Sequence, residues 1–319
     1  MVKRSQGIAA IALVLALAAL GVFAALATRS RPATPPAPPS GSPSTGSSGG
    51  SISGSGTSWI VSGSTLTRLL AADSAGATAA RNFDAPNAYV LTGAADWAVP
   101  SGWHSTPTAS FTSYATLKSV FARHSLDPRI RAVLYDNEHW SLTPQNEQAD
   151  PAHYDQLAAD LVHQHHLLFI AAPAPDLVDK LRPDAATGNF DTFLSLGLAG
   201  QIARYADVLD IQSQGAENNP TLFASFVSAV ATQARQANPG IKVLAGLSTN
   251  PSGTAVTAAV MDRAARAVRT DVDGYWLNDP AASPACPACA GPYPQVALTA
   301  LRGLNRPQSL YDNGEMGKL

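Results

Sequence analysis

Arg131-Ala-Val-Leu-Tyr-Asp-Asn-Glu-His-Trp140 reads as a short buried β-strand that ends in acid and aromatic side chains. Ala132 to Tyr135 are apolar or aromatic, the pattern of a strand covered on both faces. Strand side chains alternate, so Leu134, Asp136 and Glu138 share one face. An apolar residue followed by two carboxylates at a strand's C-terminal end suits the mouth of a β/α barrel, where that fold places its chemistry.

Working outward, strands and helices alternate. Strand centres fall near residues 89, 133, 168, 209, 243 and 275, and a seventh strand is marginal at 59–62. Asp150-Pro151 and Asn219-Pro220 each place a capping residue before a proline, the signature of a helix start. Leu157, Leu161 and Val162 stripe the first of these helices, and Phe223, Phe226, Val227 and Val230 the second. Asn238-Pro-Gly240 stops the second. A weaker helix is expected over 191–205, and a closing helix over 293–301. Residues 93–113, with Trp97 and Trp103, read as a loop. This order predicts parallel βαβ units, with a (β/α)8 barrel as first choice, degenerate in its first third. An open doubly wound sheet is the alternative. No Gly-x-Gly-x-x-Gly or Walker fingerprint follows any strand, which weakens a nucleotide-binding version of it.

The chain has 319 residues, and composition divides it in three. Residues 1–27 carry Lys3 and Arg4 and then run apolar, as a cleaved signal peptide or a retained membrane anchor would. Either places the rest outside the cytoplasm, at the cell surface or secreted. Residues 28–57 are almost entirely Pro, Ser, Gly, Thr and Ala, a tether with too little apolar surface to fold. Residues 58–319 match one barrel domain of roughly 250 residues. The formal net charge is -2, without a basic stripe, so nucleic acid is excluded as a partner. Two cysteines, Cys286 and Cys289, sit among prolines and glycines, which favours a loop disulfide over a redox pair.

Three further strands turn polar where they end. Alternation places Asp210, Gln212 and Gln214 on one face, Gly246, Ser248 and Asn250 on another, and Gly274, Trp276 and Asn278 on a third. In a barrel these faces converge with Asp136 and Glu138. Amides and carboxylates match sugar hydroxyls, and an indole packs on the apolar side of a pyranose. Asp136 beside Glu138 disfavours double ionisation, which suits an acid catalyst of glycoside cleavage.

The Asp136-Asn-Glu138 strand end, followed by Trp140, resembles the end of the family 18 glycoside hydrolase motif, that of the chitinase-like barrels. There the strand reads Asp-x-x-Asp-x-Asp-x-Glu. The resemblance implies that Glu138 is the acid and Asp136 the residue that helps a substrate acetamido group attack. Residues 207–214 resemble that family's later strand, and Trp276 stands where a last-strand Trp floors the sugar site. Two positions depart. Leu134 and Arg131 replace the earlier acids, and Gln212-Ser-Gln214 replaces a Met-x-Tyr whose Tyr holds the acetamido group.

The remaining candidates carry two readings each. Glu217 is either an exposed loop acid or the second carboxylate that hydrolysis needs. Asp210 reads as buried and paired. Trp140 is a sugar platform or a loop anchor. His163, His165 and His166 lie too close along one helix end to form a metal site, and favourable charge at that end is the simpler role. The expectation is therefore an exported glycoside-hydrolase-like barrel acting on a polysaccharide or glycan. Glu138 and Asp136 would be catalytic, and Gln212, Gln214, Trp276, Asn278, Asn250 and Trp140 would bind substrate. No cofactor is implied, and a monomer is expected. A non-catalytic carbohydrate-binding or cell-surface barrel is the competing class. A hydrolase or lyase with a metal on Asp136 or Glu138 is a third, although two carboxylates make only part of such a site.

Overall fold

The computed structural model describes residues 56–93, 97–282 and 286–306. The hydrophobic segment expected over 1–27 lies outside them, as does the tether over 28–57 apart from Gly56 and Thr57. Among the described residues no helix is long and apolar enough to cross a membrane.

Eight parallel strands close into a barrel in chain order. They are β1 (Ser58–Ser62), β2 (Ala88–Thr92), β3 (Thr106–Phe111), β4 (Ala132–Tyr135), β5 (Leu168–Ala171), β6 (Val208–Ile211), β7 (Lys242–Ser248) and β8 (Gly274–Asn278). The helices are α1 (Gly63–Ala72), α2 (Ala77–Phe83), α3 (Tyr114–Ala122), α4 (Gln145–Ala149), α5 (Pro151–Gln164) and α6 (Val178–Leu181). They continue with α7 (Asn189–Leu196), α8 (Leu198–Ala203), α9 (Pro220–Ala237), α10 (Ala258–Val268) and α11 (Pro294–Leu304). The fold is a (β/α)8 barrel, and the open-sheet alternative falls because β1 pairs with both β2 and β8.

The barrel closes at one glycine. Gly274 pairs with Ser58, and a Cβ at Gly274 would collide with the Ser58 main chain. The two end strands can meet there only because residue 274 lacks a side chain.

Strand alternation produces two cores. Ile60, Leu134, Ile170, Val208, Leu244 and Trp276 point into the barrel. Val61, Val133, Tyr135, Leu209, Ile211 and Val243 point outward and pack under the helices. Fully burying each such aliphatic side chain contributes about 1.5–3 kcal/mol. Helix ends follow the sequence signals, with one correction. Asn219 accepts the Leu222 amide at 3.2 Å and caps α9. The Asp150 side chain makes no cap bond to α5, which begins on Pro151 alone. The expected 191–205 helix is two helices, broken where Gly197 adopts a φ of 64°.

The first third is less degenerate than its sequence implies. The marginal strand at 59–62 is β1, and β3 runs through residues read as loop. Ala109 and Phe111 face the helices, so Thr106, Thr108 and Ser110 face inward. Hydroxyls occupy the positions where other strands carry aliphatics, and Pro107 reads as a breaker. Its missing N–H costs little, because pairing with β4 begins only at Thr108 and Ala132, while the Pro107 carbonyl still accepts from the Arg131 amide. Among the described residues, no helix lies between β2 and β3.

Candidate functional site

The site lies at the C-terminal ends of β4 to β8. The β4 geometry persists past its last paired residue. The Asp136 amide donates to the Phe111 carbonyl at 2.8 Å, and the Asn137 carbonyl accepts from Ala174 at 3.0 Å. Alternation therefore carries through to Glu138, with Leu134 inside the barrel, Asp136 above it and Glu138 at the opening.

A cavity of about 580 Å3 opens here. Its walls include Asp136, Glu138, Trp140, Gln212, Gln214, Asn250, Trp276, Asn278, Cys286 and Cys289, so one opening gathers both strand-end acids, the expected binding residues and the disulfide, but not Glu217. Strands far apart in the chain meet through direct bonds. The Gln212 amide donates to Asp136 Oδ1 at 2.8 Å and to the Ala172 carbonyl at 2.9 Å, reaching from β6 over β5 to β4. Gln214 lies over Gly246, where an added Cβ would come within 2.5 Å of the Gln214 amide. The empty position in β7 is thus the seat of that side chain. Cys286 and Cys289 are disulfide-bonded, and the staple forms part of the cavity wall.

Burial sets the protonation of the acids. Asp136 is held well above the ordinary carboxylate range, first by desolvation and then by the charge of Glu138; the Gln212 bond opposes this. Glu138 is pushed up to about 7 by desolvation and by the nearby charge of Asp176, while bonds from Gln212 and Asp136 pull the other way. The two acids share one region of low polarity, so both are raised and they cannot easily ionise together. Asp210 lies deeper in the barrel, is fully buried and has no partner on either oxygen, so burial raises it as well. The expectation that Asp210 is paired is therefore wrong: it is buried with neither oxygen bonded, where its charged form is disfavoured.

Glu217 is not an exposed loop acid. It is fully buried behind β7, takes the Ser248 amide on Oε2 at 2.8 Å, has no partner on Oε1, and is pushed up to about 8 by desolvation. It also stands outside the cavity wall, which removes the second-carboxylate reading. Trp140 is anchored, its indole N–H donating to Thr143 Oγ1 at 2.8 Å, and it still lines the cavity. His163 instead pairs with Asp207 at 2.9 Å, and His165 stacks on Phe121. Among the described residues no three His, Cys, Asp or Glu side chains gather to hold a metal ion.

Two cavity groups are buried without partners. Asn250 is 1% exposed, and neither its amide nitrogen nor its amide oxygen has a bond. The Trp276 indole N–H is likewise unpaired at 7% exposure. Such groups cost free energy unless a ligand or water meets them. Sequence reasoning missed Asp176, Asn189 and Phe190, which complete the wall. For Asp176 no strand periodicity was available: it sits on a 3-10 turn, Pro175–Leu177, beyond the end of β5.

No family model and no curated protein matches the chain. Solved structures do share the barrel. A chitinase from Chromobacterium violaceum is 14% identical, with a TM-score of 0.44, over 79% of this chain and 100% of the other. A class V chitinase from Pseudomonas fluorescens is 12% identical, with a TM-score of 0.47, again over 79% and 100%. A triosephosphate isomerase from Bartonella henselae is 11% identical, with a TM-score of 0.43, over 78% and 100%. These likenesses are of fold.

Proposed function

We propose that this protein is a glycoside hydrolase acting on a polysaccharide, with Glu138 as the general acid and Asp136 as the group that tunes it. One observation carries the reading. Glu138 is a half-buried carboxyl pushed up to about 7, in a cavity whose Asn250 and Trp276 polar groups lack partners. An acid with that affinity keeps a proton to give near neutrality and gives it readily. The amides of Asn250, Asn278, Gln212 and Gln214 suit hydroxyls, and Trp276 offers an apolar face. Activity requires protonated Glu138, so the rate should fall as pH rises through about 7.

The reading extends to place. The apolar 1–27 segment, the Pro/Ser/Gly-rich 28–57 stretch and the Cys286–Cys289 disulfide support a chain that works outside the cytoplasm, secreted or tethered to a membrane. The second reading is a carbohydrate-binding barrel without turnover. Leu134 and Arg131, at motif positions where the resembled family carries acids, favour it.

The test uses the purified chain with a panel of soluble polysaccharides, recording both binding and new reducing ends, beside Glu138→Gln. Release by the parent that falls 100- to 10,000-fold in the variant supports the hydrolase. Binding by both with no release from either leaves the binding barrel. Neither binding nor release removes carbohydrate from consideration.

A further inference from the structure

Cleavage of a glycosidic bond by protein carboxyls needs two of them. One gives a proton to the departing oxygen, and the other activates water or attacks the sugar carbon. Asp136 accepts the Gln212 amide on one oxygen and bonds Glu138 beside it. Asp210 and Glu217 are fully buried and stand outside the cavity wall. Asp279 at the rim is 1% exposed and held by Arg68, Thr249 Oγ1 at 2.7 Å and the Tyr293 amide at 2.6 Å. None of these offers a free oxygen to a water in the cavity.

Asp176 does. It follows β5, is half-buried, and lines the same cavity as Glu138. The His139 amide donates to its Oδ1 at 3.0 Å, and its own main-chain amide also supports the carboxylate; among the described residues no other residue donates to Oδ2. His139 directly follows Glu138, so the peptide that grips Asp176 belongs to the neighbour of the acid. The two carboxyls are thereby tied to one short piece of backbone, which fixes one relative to the other. The charge of Asp176 is close enough to raise Glu138.

We propose that Asp176 is the second catalytic carboxylate, acting as general base on the attacking water. This rests on the glycosidase reading. The water oxygen bonds to the anomeric carbon while one water proton passes to Asp176. The bond from that carbon to the departing oxygen breaks, its electron pair stays on that oxygen, and Glu138 supplies the proton. One water is consumed. Glu138 is left as a carboxylate and Asp176 as an acid, and exchange with solvent restores both.

Glycosyl fluorides separate the two roles, because fluoride leaves without a proton. The full chain, Glu138→Gln, Asp176→Asn and Asp176→Ala would be assayed for fluoride release from both anomers of glucosyl, galactosyl and N-acetylglucosaminyl fluoride. Release of reducing ends from the polysaccharide panel would be followed in parallel. Glu138→Gln should lose far more on the polysaccharide than on the fluoride. Asp176→Asn should lose 100-fold or more on both, with polysaccharide binding retained. Azide should restore fluoride release to Asp176→Ala with formation of a glycosyl azide, which also shows that this variant is folded. Asp176→Asn turning over fluoride like the parent would overturn the role of Asp176 and leave the glycosidase reading standing. A parent inert on every fluoride and every polysaccharide would overturn both.

Discussion

Two glutamates of the same strand-to-helix unit meet opposite fates. Glu147, on α4, is 2% exposed and fully employed. It accepts the Tyr135 hydroxyl at 2.7 Å, the Tyr114 amide at 2.7 Å, the Ala115 amide at 3.3 Å and the Ser113 hydroxyl at 3.3 Å. Those amides are the first of α3, so a carboxylate sits at a helix N-terminus, where unpaired donors and the helix dipole favour it. Glu138, nine residues earlier in the chain, takes none of this support. It faces a cavity, with Asp136 bonded to it from its own strand and the like charge of Asp176 raising it from beside the same cavity. The contrast separates a buried acid that holds the fold together from one that the fold holds in readiness.

The sharpest way to break this contrast is to remove each acid. Glu147→Ala leaves the α3 amides and the Tyr135 hydroxyl buried without an acceptor, and should cost about 4 kcal/mol in urea unfolding. Glu138→Ala should change stability by less than about 1 kcal/mol, because no main-chain donor depends on it. Equal losses would show that Glu138 is structural after all.

A smaller effect tests Glu217, which is buried like Glu147 but has only one bond. Its native proton is held up to about 8, whereas the unfolded chain releases it near the ordinary 4.5. The native state therefore has this contribution in full below about 4.5 and loses it as pH rises through about 8. Glu217→Gln should be more stable than the parent at pH 9, and nearly equal to it at pH 4. A pH-independent difference would mean that burial does not hold the Glu217 proton in the folded state.

The smallest effect concerns the cavity wall. Gly246→Ala puts a methyl group where the Gln214 amide lies, so that side chain must swing away. Polysaccharide binding should weaken about tenfold with the fold intact, since the displaced group is the far end of a flexible side chain. Unchanged binding would remove Gln214 from the site.

Legibility followed burial pattern. Strands β4 to β8 carry aliphatic or aromatic runs ending in polar residues, and both the barrel and the grouped site residues could be read from them. Strand β3 was lost because its inward face is Thr106, Thr108 and Ser110, and hydroxyls at alternate positions look like loop. Asp176 was lost because it lies past the end of β5 on a 3-10 turn, Pro175–Leu177, where a period of two no longer reports which way a side chain points.

By itself the sequence determined which side chains share a face of each strand, since a period of two is a local property of the backbone. It also determined where α9 begins, because Asn219 acts on its own turn, whereas the break of the 191–205 helix at Gly197 emerged only in the structure. Only the tertiary structure decided that Gln212 bonds Asp136 across β5, that Glu217 is sealed behind β7, and that Asp176 reaches the cavity beside Glu138. Those outcomes depend on which strands become neighbours when the barrel closes at Gly274. Desolvation and charge then act across space rather than along the chain, and no local pattern records them.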